Sequence, residues 1–170
     1  RMLGMIQPRI LQPHPLPDHT EIFETGCAGR IVSFAETDDG RFLVTLKGVC
    51  RFRVCEELPL FRGFRRVVPD YQLFRSDLEP ASEEGIDRPR LLTAARAFLL
   101  LKNIACDWQA AEAASSQALV TSLAMSCPFE PEEKQALLES DDLARRCELL
   151  ISLFEMAMLT ADAPAAGTRH

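Results

Sequence analysis

From Phe42 to Val54 every even position is apolar or glycine (Phe42, Val44, Leu46, Gly48, Cys50, Phe52, Val54), while Thr45, Lys47, Arg51 and Arg53 stand at odd ones. A two-residue period of this length predicts a strand with one buried and one wet face. Gly48 keeps the parity but weakens the strand, so a bend where one strand becomes two is expected there. Residues 30–35 (RIVSFA) predict a shorter strand, joined to it by a hairpin through ETDDGR, because Asp39-Gly40 tolerates the positive φ of tight turns. Residues 2–6 predict another strand. The following QPRILQPHPLPDH holds four prolines, which exclude a regular helix or a central strand. Residues 65–69 (RRVVP) and 71–74 (YQLF) are expected as a further extended pair.

Beyond residue 87 the period becomes helical. Asp87 is placed as an N-cap with Pro89 in the first turn of a helix to about Asn103, whose apolar face includes Leu91, Ala95 and Phe98. Asp107 is expected to cap a short helix, Ser115 or Ser116 a second (QALVTSLAM), and Pro131 to start a third (PEEKQALLE). The last helix follows Asp141 or Asp142 and carries Leu143, Cys147, Leu150, Ile151, Phe154 and Met158 at spacings of three and four. The joint between the halves falls at residues 77–87 (DLEPASEEGID), acidic and broken by Pro and Gly. The division is therefore a β-rich lobe over 1–76, a linker over 77–87, a helical bundle over 88–160 and a frayed tail over 161–170.

The 170 residues are 47% hydrophobic and 26% charged, the balance of a folded protein with a real core. The net charge of −6 disfavours a surface devoted to nucleic acid. That charge is uneven, at −3 over residues 1–40, +5 over 41–75 and −8 over 76–170. Six cysteines without CxxC spacing read as reduced, mostly buried thiols of a cytoplasmic chain. The longest apolar run (AFLLL) is too short to span a bilayer.

Catalytic and cofactor signatures are missing. There is no GxxxxGK[ST] loop and no GxGxxG after a strand. The GCAG at residues 26–29 has the spacing of a KH-type GxxG clamp, but that clamp joins helices and a strand pattern follows here. Cys27 as a nucleophile would need a base, and only His14 and His19 lie near it in sequence. Gly26 and Gly29 are explained more simply by a sheet corner with close backbone approach, and Cys27 by burial. No cofactor and no metal site is expected. The residues left without a structural assignment are in CEELPLFRGFRRVVPDYQLFR, where aromatics alternate with arginines. Leu60, Phe61 and Phe64, beside Pro59 and Gly63 in an expected loop, are the candidates for an exposed protein-binding surface, with Arg62, Arg65 and Arg66 around them.

The segments MLGMIQP (2–8), GCAGRI (26–31), Asp39-Gly40, GVCRFRV (48–54), Pro128-Phe129, EKQALLE (133–139) and DLARR (142–146) together resemble the N-terminal substrate-binding domain of the Lon protease family. The similarity extends over nearly the whole chain and is nearest to stand-alone bacterial proteins made of this domain. It implies an α+β fold, a PUA-like β-barrel lobe followed by a small helical bundle, that binds proteins and lacks ATPase and peptidase motifs. It also implies a first strand ahead of Arg1; either that segment lies outside this sequence or the protein is truncated, and truncation would leave a sheet edge open to another strand or to self-association. The expected function is non-enzymatic binding of exposed apolar or unfolded protein segments. The alternative is RNA or nucleotide binding through the basic segment 41–75.

Overall fold

In the computed structural model, which describes residues 1–10, 17 and 19–162, the chain divides into two units, Arg1–Pro80 and Ala81–His170. The first is built on one antiparallel sheet of four strands, β1 (Met2–Met5), β2 (Thr25–Glu36), β3 (Phe42–Phe61) and β4 (Phe64–Asp70), in the order β1-β2-β3-β4. Each strand pairs with the next in sequence. The sheet is open, so the barrel implied by the resemblance is not closed by the described residues.

The segment GCAG is not a corner but lies inside β2 near its start, flanked by β1 and β3. Small residues are needed there for close approach. A Cβ on Gly26 would lie 2.7 Å from the Met5 carbonyl oxygen and 2.8 Å from Phe52 Cζ. Instead of breaking at Gly48, β3 runs through twenty residues and absorbs the irregularity as a bulge, since Ala28 pairs with Cys50 but Gly29 with Gly48.

Alternation along β3 holds, but burial does not follow it to the end. Cys50 and Phe52 are buried, whereas Phe42 and Val44, on the same parity, are exposed. The far half of the β2–β3 hairpin is a two-stranded ribbon with exposed side chains, and Phe34 and Phe42 stack there at 5.1 Å. Its turn is the expected one: Gly40 has φ +78°, and the Asp39 carboxylate accepts from Arg41 Nε at 2.7 Å and from the Thr37 hydroxyl. Arg51, expected on the wet face, is buried. Its guanidinium meets Asp77 at 2.7 Å and lies 4.6 Å from the centre of the Phe74 ring. Asp77 also accepts from the Arg51 main-chain N–H at 2.9 Å. This grip explains two differences from expectation. Residues 72–78 form a 3-10 helix (Gln72–Leu78) rather than a strand, and Asp77 belongs to the first unit rather than to a linker.

The second unit contains α1 (Arg88–Leu101), α2 (Trp108–Ala113), α3 (Ser116–Ser126), α4 (Pro131–Glu139) and α5 (Leu143–Asp162). Local signals set their starts. Asp87, Asp107 and Ser115 accept from the N–H groups of Arg90, Ala110 and Ala118, and Asp142 from that of Arg145. The α5 stripe is buried at Leu143, Cys147, Leu150, Ile151 and Phe154, and half-buried at Met158. Phe98, Phe129 and Phe154 pack in a triangle with centroids 4.7 to 5.6 Å apart. No described helix is long and apolar enough to cross a membrane. Most of the proline-rich segment, His14 included, and the tail from residue 163 lie outside the described residues.

Candidate functional site

β3 and β4 meet in a two-residue turn rather than the expected loop. Arg62 (φ +52°) and Gly63 (φ +79°) both adopt positive φ, the geometry of a type I′ hairpin turn whose twist matches the flanking strands. The turn carries its neighbours into solvent: Leu60 is 45%, Phe61 52% and Phe64 70% exposed.

The arginines around this tip are held in different ways. Arg66 donates to the Pro59 carbonyl at 3.0 Å, which lays its guanidinium 5.1 Å from the Phe61 ring centre, and Arg62 sits 5.3 Å from the same ring. Phe61 is thus an exposed aromatic with two cations against it, stiffened without being covered. Arg65 is engaged elsewhere. It forms a forked pair with Glu57, at 2.6 and 2.8 Å, and donates to the Thr20 carbonyl at 2.8 Å. That contact holds the Glu57 carboxyl below the usual carboxylate range. Four of the eight basic residues of segment 41–75, Arg41, Arg51, Arg53 and Arg65, are in ion pairs. Three of these pairs bring carboxylates from outside the segment, Asp39, Asp77 and Glu24, and so offset part of its excess of positive charge.

Behind the tip, on the sheet, lies an open groove of about 700 Å³. Phe52 and Ala28 line it between Met2, Leu3 and Gly4 of β1 and Arg65, Arg66 and Val67 of β4. The two edge strands of the sheet therefore border one groove. Sequence periodicity does not reveal this, because it depends on how the sheet curls. The signals that could have pointed to it are Pro69 within β4, a mark of an edge strand, and the small residues Gly4 and Ala28.

Cys27 is half-buried, and burial pushes its thiol up from the ordinary value, as it does that of Cys50. Its Sγ–H is directed to the Ala28 carbonyl at 3.7 Å. A raised thiol pKa is the opposite of nucleophile activation. All six cysteines are free; Cys55 is exposed, Cys27 and Cys106 half-buried and the other three buried. Among the described residues no three His, Cys, Asp or Glu side chains are grouped to hold a metal ion.

The family model of the ATP-dependent protease La (Lon) substrate-binding domain matches residues 12–155. Among solved structures, the Lon N-terminal domain protein from Xanthomonas campestris is similar at 19% identity and a TM-score of 0.47, over 96% of this chain and 90% of that one. The N-terminal domain of Mycobacterium avium complex Lon protease is similar at 16% identity and a TM-score of 0.51, over 82% of this chain and 73% of that one. No curated protein matches the chain.

Proposed function

Because the chain belongs to the family of the Lon substrate-binding domain, we propose that it is a non-enzymatic protein-binding module that recognises exposed apolar or unfolded segments of other proteins. Its contact surface is the β3–β4 tip: Leu60, Phe61 and Phe64 supply apolar area, Arg62 and Arg66 flank it, and Arg65 fixes the adjoining strand. The observation that carries this reading is the exposure of three large apolar side chains on a rigid two-residue hairpin turn. Aromatic and arginine side chains on a preorganised support give much contact energy for little lost entropy. Reduced thiols fit a cytoplasmic setting. RNA binding is the weaker reading, because half of the basic side chains in 41–75 already face carboxylates.

The test is the fluorescence anisotropy of a labelled protein kept unfolded by reduction and alkylation, titrated with wild type and with Phe61→Ala. Binding is expected to weaken about tenfold in the variant, the usual scale for an interface aromatic. It should also depend only shallowly on salt. Equal binding by the two proteins, or a preference for single-stranded RNA that collapses with salt, would overturn the proposal.

A further inference from the structure

The β3–β4 pairing decides which side chains of the tip act together. Residues opposite each other on paired strands put their side chains on the same face, and so do residues two apart on one strand. Phe61 lies opposite Phe64 and Leu58 opposite Arg66, and the register shift between those pairs takes up one extra residue of β3. Phe61, Phe64 and Arg66 therefore share a face, in agreement with the 5.1 Å between the Arg66 guanidinium and the Phe61 ring centre. All three are exposed. The face thus offers two neighbouring phenylalanines with a cation beside them.

The charge on this tip is of one sign. Residues 58–66 (LPLFRGFRR) hold three arginines and no acidic residue, in a protein of net charge −6. Arg65 is neutralised, since both oxygens of the Glu57 carboxylate accept from it. Arg62 and Arg66 have no carboxylate partner among the described residues. Arg66 turns Nε and Nη2 to a single acceptor, the Pro59 carbonyl, at 3.3 and 3.0 Å, which leaves Nη1 with no acceptor among the described residues. At physiological salt, charges are screened beyond about 8 Å. A segment lying on the tip therefore responds to these two guanidiniums more than to the net charge of the chain.

We propose that the tip selects, among exposed apolar segments, those that carry an aspartate or glutamate two residues from a large apolar side chain. The apolar side chain rests on Phe61 and Phe64, and the carboxylate accepts from Arg66, with Arg62 adding to the local positive field. The spacing follows from the support. Phe64 and Arg66 are two apart on β4, and residues two apart in an extended chain are about 6.5 Å from each other. Residues i and i+2 of an extended client segment therefore match the two positions. A lysine in place of the acidic residue would meet two like charges. This rests on the protein-binding reading and specifies the class of segment that is bound.

The probes are three fluorescent peptides of about ten residues, in which a phenylalanine is followed two residues later by aspartate, asparagine or lysine. Their C-termini are amidated, so that the aspartate side chain is the one carboxylate present. Wild type should bind the aspartate peptide about fivefold more tightly than the asparagine peptide, the upper range for an exposed ion pair, and the lysine peptide more weakly than either. Raising the salt to about 0.5 M should shrink that ratio. Arg66→Gln keeps a donor for the Pro59 carbonyl and should bring the aspartate-to-asparagine ratio to about one, whatever it does to overall affinity. Arg66→Glu should reverse the order in favour of lysine. If wild type binds the aspartate and asparagine peptides alike, or the ratio survives in Arg66→Gln, acidic selection at the tip is wrong although protein binding stands. If no peptide and no reduced, alkylated protein binds, both readings fall. Displacement of the aspartate peptide by an equal concentration of a single-stranded RNA oligonucleotide would mean that phosphates take Arg66, which also overturns the proposal.

Discussion

Replacing Asp77 by alanine removes a carboxylate partner of a nearly buried arginine. Arg51 has a side chain only 6% exposed, and Asp77 meets its guanidinium at 2.7, 2.9 and 3.2 Å as well as its main-chain N–H at 2.9 Å. Losing one partner of a buried ion pair generally costs about 3–5 kcal/mol, because the remaining charge stays desolvated. Asp77 is 20% exposed, so water can reach the vacated position, and the lower end, about 3 kcal/mol, applies. The Phe74 ring, 4.6 Å from the guanidinium, persists in the variant and offsets a little of the loss. The assay is hydrogen exchange at the amides of Cys50 and Phe52, buried residues of β3 paired with β2. Exchange should accelerate about a hundredfold, since each 1.4 kcal/mol is a factor of ten. The double variant Arg51→Met, Asp77→Leu removes both charges and should be less destabilised than Asp77→Ala, its remaining cost being the lost acceptor of the Arg51 main-chain N–H. Acceleration below about fivefold in Asp77→Ala would refute the reasoning, because the pair would then contribute no more than an exposed one.

Gly26→Ala should destabilise the first unit by about 1–3 kcal/mol in denaturant unfolding, because its Cβ would sit 2.7 Å from a backbone carbonyl that cannot rotate away. Alkylation of the native protein should modify Cys55 first and Cys50, Cys127 and Cys147 only on unfolding, which mass spectrometry would follow. Burial, with Cys106 nearby, pushes the Cys127 thiol up to about 11 from an ordinary value of 9.0. The folded state therefore keeps a proton that the unfolded chain gives up. The contribution of Cys127 to the stability of the second unit is constant below pH 9 and is lost as pH rises from 9 to 11. Melting of Cys127→Ala should show a shallower decline over that window.

How far the sequence predicts these structures depends on the range of the causes. Asp87, Asp107 and Ser115 each bond three residues onward, so a cap and a helical period within one short window were enough to place three helix starts. The alternation in β3 was equally local, but burial was not. Whether Phe42 is covered depends on what lies opposite it in space, and it is exposed. Arg51 sits on the parity that suggests solvent, and a partner 26 residues away, Asp77, reverses that. Pro59 and Gly63 pointed to an exposed tip, yet the loop inferred from them is a tight turn, because Arg62 accepts positive φ, unusual for a residue with a Cβ. The groove was invisible for a similar reason, since it needs β1 and β4, sixty residues apart, at the rim of one curled sheet.

The central claim is that the β3–β4 tip touches the bound protein, and site-specific photo-crosslinking tests it most directly. A benzophenone side chain replaces Phe64 in one protein and Met125, in α3, in another. The two positions are matched in exposure at 70% and 71%. Each is irradiated with a reduced and alkylated protein present. The account predicts adducts from position 64 and none above background from position 125. Equal yields from both positions, or adducts from 125 alone, would contradict it.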